Sequence, residues 1–91
     1  MIDIKRGETS FYVGDNEEES LAKMELTHNG DELIIEHTFV SEELRGQNVA
    51  RQLLKAVVDF ARERNKTITP VCSFAKAELS KNKDYSDVLH R

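Results

Sequence analysis

Hydrophobic and polar positions alternate in the first half of the chain and recur at helical spacing in the second. Ser10-Phe11-Tyr12-Val13 is a short β-prone run, closed by the turn signal Gly14-Asp15-Asn16. Glu17-Glu18-Glu19 reads as a solvated acidic loop. From Leu21 to Thr27 the alternation is strict, with Ala22, Met24 and Leu26 on one side, as in a half-buried strand. Asn29-Gly30 is a hairpin signal, because both residues tolerate positive φ. The next strand covers 32–40. An unbroken period of two puts Leu33, Ile35, His37 and Phe39 on one face and Ile34, Glu36, Thr38 and Val40 on the other.

The period then changes. Ala50, Leu53, Leu54, Val57, Val58 and Ala61 form an apolar stripe that predicts a helix over 49–64. Asn48 suits its N-cap and Asn65 a left-handed stop, with Arg62, Arg64 and Lys66 near the negative C-terminal end. Residues 67–72 read as a strand, which Pro70, with no N–H to donate, places at a sheet edge or where pairing is broken. Ser73 is the expected cap of a second helix carrying Phe74, Ala77 and Glu78. Tyr85, Val88 and Leu89 are expected to dock the polar tail. Strand 32–40, helix 49–64 and strand 67–72 make a right-handed βαβ unit with two parallel strands. The fold class is α+β, in one domain spanning 1–91.

At 91 residues the chain has room for one core. Its net charge of −4 argues against general nucleic-acid binding, which needs a basic surface. No apolar run is long enough to span a membrane, and the N-terminus lacks the apolar core of a signal peptide. The single cysteine, Cys72, excludes an intramolecular disulfide and fits a reducing, cytoplasmic setting. With His28, His37 and His90 widely spaced, it makes no metal signature. A monomer is expected.

The junction Arg45-Gly46-Gln47-Asn48-Val49-Ala50 follows a strand and opens a helix, whose first N–H groups and positive dipole end can hold an anion. It resembles the pyrophosphate loop of the GCN5-related N-acetyltransferases (GNAT), where Arg or Gln is followed by two residues, Gly, one residue, and Gly or Ala. Asn48 stands where that family usually has Gly. Glu36-His37-Thr38, the run from Pro70 to Ala75, and Tyr85-Ser86-Asp87-Val88 are similar to a minimal subgroup, the YjdJ-type small acetyltransferases. The resemblance extends from Phe11 to Leu89. It implies a GNAT-like, mostly antiparallel sheet with one parallel pair. It also implies acetyl-coenzyme A as cosubstrate, held by Arg45, Gly46, Gln47, Asn48, Val49, Ala50 and Arg51, with Lys55 adding positive charge. Larger members build their acceptor pocket from extra N-terminal helices and C-terminal strands, for which this chain is too short. The acceptor, an amine or a thiol, is therefore not implied.

Two residues carry candidate chemistry. Cys72, at the end of the last strand, reads either as a nucleophile toward the thioester or as a small core residue. His37, on the strand before the loop, reads either as a base toward Cys72 or an amine, or as a half-buried histidine satisfied by backbone. Tyr85 is too far along to match the family's catalytic tyrosine. Glu42 and Glu43 either attract an amine or are simply solvated. Three functions follow: an acetyltransferase, a module that binds acyl-coenzyme A or a protein without turnover, and a structural domain pairing through its edge strand.

Overall fold

A computed structural model describes residues 2–89. Strands β1 (Lys5–Arg6), β2 (Ser10–Val13), β3 (Ala22–Asn29), β4 (Glu32–Val40) and β5 (Thr67–Pro70) form one sheet whose spatial order follows the chain. Neighbours are antiparallel up to β4, and β5 is parallel to β4. Helix α1 (Val49–Glu63) makes the crossover that a parallel pair requires, and α2 (Ser73–Lys81) follows β5. This is the expected α+β, GNAT-like arrangement, with β1 and two short 3₁₀ turns (Glu42–Leu44 and Lys83–Tyr85) added.

The stripe of α1 does what its spacing predicts. Leu53, Leu54, Val57, Val58 and Ala61 are buried, together with Val49, which replaces Ala50 at the first turn. They meet Phe11 and Val13 of β2, Ala22, Met24 and Leu26 of β3, and Leu33 and Ile35 of β4. From α2 the core receives Ala75 and Leu79, spaced i,i+4, rather than Ala77, which is exposed. Each large aliphatic side chain buried this way contributes about 1.5–3 kcal/mol.

Three local departures from strict periodicity matter. The first is a bulge in β4. Glu25 pairs with His37 but Leu26 pairs with Ile35, so Glu36 is an extra residue. The alternation slips there. Leu33 and Ile35 face the core, yet the next inward residues are Thr38 and Val40, while His37 and Phe39 are exposed. The expected four-residue face of Leu33, Ile35, His37 and Phe39 is thus split after Ile35. The second is the β3–β4 turn. Asn29 pairs with Glu32, so the two-residue loop is Gly30-Asp31, one position later than expected, and only Gly30 has positive φ (60°). The third is β5, which stops at Pro70 rather than at residue 72.

The C-terminal end of α1 is closed. Asn65 is left-handed (φ 55°), as expected. The Lys66 N–H donates to the Ala61 carbonyl at 2.8 Å and the Asn65 N–H to that of Arg62 at 3.3 Å, which together make a Schellman cap. Arg62 donates two hydrogen bonds to the Asp87 carboxylate (2.9 and 3.0 Å) and one to the Asp84 carbonyl. Lys66 donates to the Gly30 carbonyl at 2.6 Å. Arg62 and Lys66 thus tie down the tail and the hairpin, beyond their expected role at the helix dipole. Val88 is buried, and the Ile68 N–H donates to its carbonyl at 2.6 Å, so the tail lies against the outer edge of β5.

The acidic run is only partly solvated. The Glu17 carboxylate accepts hydrogen bonds from the buried Ser10 hydroxyl and from the Glu8 and Thr9 N–H groups. The Ser10 bond, helped by the two amides, outweighs desolvation and holds this carboxyl below the usual glutamate range.

Candidate functional site

At the other end of α1 the chain leaves β4 with the Ser41 N–H on the Leu21 carbonyl (2.8 Å). A 3₁₀ turn over Glu42–Leu44 follows, and Arg45 and Gln47 donate back to Glu42 and Leu44 at 3.2 and 3.3 Å. The loop then turns on two left-handed residues, Gly46 (φ 88°) and Asn48 (φ 58°). Glycine adopts this conformation freely, and asparagine does so more readily than most other side chains. Asn48 is the N-cap residue, as expected, but its side chain caps nothing. A capping side chain needs an extended backbone to reach back to the first turn, and the left-handed conformation denies it. The first intrahelical bond is from the Gln52 N–H to the Asn48 carbonyl at 3.0 Å. The N–H groups of Val49, Ala50 and Arg51 lie ahead of that ladder, at the positive end of a fifteen-residue helix.

These amides border a groove of about 330 Å³. One wall is apolar (Val40, Leu44 and Phe74), and the other is formed by Arg45, Gly46, Asn48 and Ala50. Gln47 does not line it; its side-chain amide donates to the Glu43 carbonyl. A Cβ on Gly46 would meet nothing within 4 Å, so the turn is open above that residue. The cations differ from expectation. Arg51 lies at the rim but is paired with Glu78 of α2 at 3.3 Å, and Lys55 is paired with Asp59 at 3.2 Å. Arg45 has no carboxylate within ion-pair distance among the described residues.

Cys72 sits where the parallel strands part. The last β4–β5 pair is Ile35 with Pro70. The Val71 and Cys72 N–H groups then both donate to the Ile35 carbonyl, at 2.9 and 3.0 Å, and the chain turns into α2. Cys72, not Ser73, is the N-cap residue of α2. Its half-buried sulfur is 3.3 Å from the Thr38 hydroxyl. Burial disfavours the thiolate. The Thr38 hydroxyl and the N–H groups of Ala75, Phe74 and Thr38 more than compensate, and the thiol is held below its ordinary pKa.

The bulge decides which β4 side chain meets that sulfur. Thr38 contacts it, so its neighbour His37 points to the opposite, solvent-facing side of the sheet. The expected juxtaposition of His37 and Cys72 is replaced by Thr38 and Cys72. Sequence reasoning missed Thr38 because nothing in the run 32–40 marks the extra residue. Val40 shares the Thr38 face, about 7 Å further along at strand rise. Phe74 follows Cys72 by two residues and lines the groove. The groove thus borders the residues two places beyond Thr38 and Cys72 in the chain, while the sulfur itself does not line it. No group of three or more potential ligands for a metal ion occurs among the described residues. No helix among them is long and apolar enough to cross a membrane.

Residues 10–88 match the family model of the GCN5-related N-acetyltransferases. The solution structure of a Staphylococcus aureus protein, assigned as a GCN5-like N-acetyltransferase, superposes with a TM-score of 0.82 at 48% identity, over 98% of this chain and 88% of that one. The ribosomal-protein-S18-alanine N-acetyltransferase of Escherichia coli shares the fold (TM-score 0.62, 20% identity), over 84% of this chain and 52% of its own. Among curated protein sequences none matches significantly.

Proposed function

Because the chain belongs to the GCN5-related N-acetyltransferase family, we propose that it uses acetyl-coenzyme A, with the diphosphate on the open start of α1 and the thioester directed toward Cys72. The family and the Staphylococcus aureus relative support an acetyltransferase. The observation that carries the finer reading is the junction at Arg45–Arg51. Its leading amides precede the helix ladder, its turn is open at Gly46, and Arg45 has no acid partner among the described residues.

Acetyl-coenzyme A supplies an activated acyl group as a thioester. The protein's part is to hold the diphosphate and to present a nucleophile. The Val49, Ala50 and Arg51 amides serve the first task, with Arg45 as countercharge. Cys72 serves the second. It loses its proton to solvent, attacks as the thiolate and takes the acetyl group as the coenzyme A carbon–sulfur bond breaks and the released thiolate is protonated from solvent; an amine or thiol acceptor then takes the acetyl group, gives up its own proton and frees the Cys72 sulfur. The Thr38 hydroxyl accepts from the neutral thiol and donates to the thiolate, so it favours the reactive form. His37, facing solvent on the other side of the sheet, has no part beside the sulfur in this scheme. A reducing cytoplasm suits a free, half-buried thiol, and a monomer suffices for the site.

A second reading, binding without turnover, is favoured by the commitment of Arg51 and Lys55 to Glu78 and Asp59. Pairing through the β5 edge has less support, since the tail occupies that edge at Ile68. Intact-protein mass after incubation with acetyl-coenzyme A separates the first two. The catalytic reading expects a single acetyl adduct, lost in Cys72→Ala and retained in His37→Ala. Saturable binding with no adduct and no release of coenzyme A toward a panel of amines and thiols leaves the binder.

A further inference from the structure

A second cavity, of about 210 Å³, lies at the far end of α1. It is lined by Arg6, His28, Arg64 and Phe60, with the buried Phe11 and Leu26 contributing little surface. Phe60 organises it. The guanidinium carbons of Arg6 and Arg64 each lie 5.1 Å from its ring centroid. Phe11 meets the same ring edge-on at 5.7 Å and His28 at 6.3 Å. A guanidinium held against an aromatic ring keeps its in-plane N–H groups available, so the contact orients the charge without neutralising it.

The distribution of arginine partners sets this cavity apart. Five arginines fall among the described residues. Arg51 and Arg62 are ion-paired, with Glu78 and Asp87. Arg45, Arg6 and Arg64 have no carboxylate within ion-pair distance among the described residues. Arg45 borders the groove described above, and the other two border this cavity. The chain has 17 acidic and 13 basic residues, so acids are not scarce. Glu8 also lines the cavity, one carboxylate against two guanidiniums.

We propose that this cavity is a binding site for a small organic anion, a carboxylate on a planar apolar body. The carboxylate takes the parallel N–H pair of one guanidinium and the planar body stacks on the other, because both guanidiniums already lie against Phe60 and Phe11 and Leu26 are buried. The volume is below the roughly 300–1,000 Å³ of pockets for drug-sized molecules, which limits the occupant to about the size of benzoate. Phe60 follows Ala50 by ten residues, about 15 Å along the helix, so the site is separate from the groove at residues 45–51.

Amide and arginine side-chain signals followed by NMR during titration with benzoate, its neutral isostere benzamide, and inorganic phosphate test this. Benzoate is expected to give saturable shifts at Arg6, His28, Phe60 and Arg64, with residues 45–51 unmoved, and to bind at least tenfold more tightly than benzamide. Arg6→Gln with Arg64→Gln is expected to weaken benzoate at least tenfold, and Glu8→Gln to tighten it severalfold. Unchanged signals elsewhere in each variant verify the fold; if the double variant does not fold, Arg64→Gln alone is used. Saturable phosphate binding tighter than benzoate overturns the organic class. Absence of saturable shifts, equal response to benzoate and benzamide, or unaltered affinity in a folded arginine variant overturns the site.

Discussion

The two ends of α1 use the same conformational device for opposite purposes. Each carries an asparagine in the left-handed region, Asn48 at the start and Asn65 at the stop. At the stop the backbone, Arg62 and Lys66 close inward, and Arg64 lies against Phe60 beside the second cavity. The Schellman bonds take the last carbonyls, Arg62 holds the tail, and Lys66 holds the hairpin. At the start the ties go to the loop and to α2 rather than to the leading helix amides. The Asn48 side chain does not cap, the leading amides lie ahead of the ladder, and Arg45 finds no acid among the described residues. A helix start whose leading amides are uncapped at an open groove can take an anion.

The strongest way to break this contrast is to fill the open end. Gly46→Glu puts a carboxylate where the diphosphate would lie, and acetyl-coenzyme A affinity by calorimetry is expected to fall on the order of a hundredfold. Unchanged affinity would remove the phosphate from this turn. Next, Arg45→Ala is expected to weaken binding about tenfold, but Arg51→Ala less than threefold, because Arg51 is committed to Glu78. Equal losses would mean that the Arg51–Glu78 pair opens for the ligand. At the closed end, Asn65→Ala forces a Cβ-bearing residue without a polar side chain into the left-handed region. It is expected to cost about 1 kcal/mol, a fall in Tm of about 4–8 °C, with acetyl-coenzyme A affinity unaltered. A loss of affinity there would erase the distinction between the ends.

Much of this was legible from the sequence. The apolar stripe of α1, strand 32–40, the edge position of Pro70 and the left-handed stop at Asn65 all follow from local pattern, because each is fixed by residues close together in the chain. The loop was legible for the same reason. The partner of Cys72 was not. One extra residue at Glu36 reverses the facing of everything after it, and alternation gives no warning of a bulge set by pairing with β3. The pairing of Arg51 with Glu78 and of Arg6 and Arg64 with Phe60 was equally hidden, since each joins distant parts of the chain.

The smallest effect bears on Cys72. Thr38→Val removes the hydroxyl that supports the thiolate and keeps the shape. The pH profile of Cys72 alkylation is expected to begin below that of an ordinary thiol in the parent protein. In the variant it is expected to move toward higher pH, with Thr38→Ser restoring it. Superimposable profiles would leave Thr38 as packing only.

The most direct test of the open helix start is an amide-resolved titration of the unmodified protein with acetyl-coenzyme A. The expected result is saturable perturbation concentrated at residues 45–51, strongest at the Val49, Ala50 and Arg51 amides, with Asn65 and Lys66 silent. Saturation with those amides unmoved, or no response at all, would contradict it.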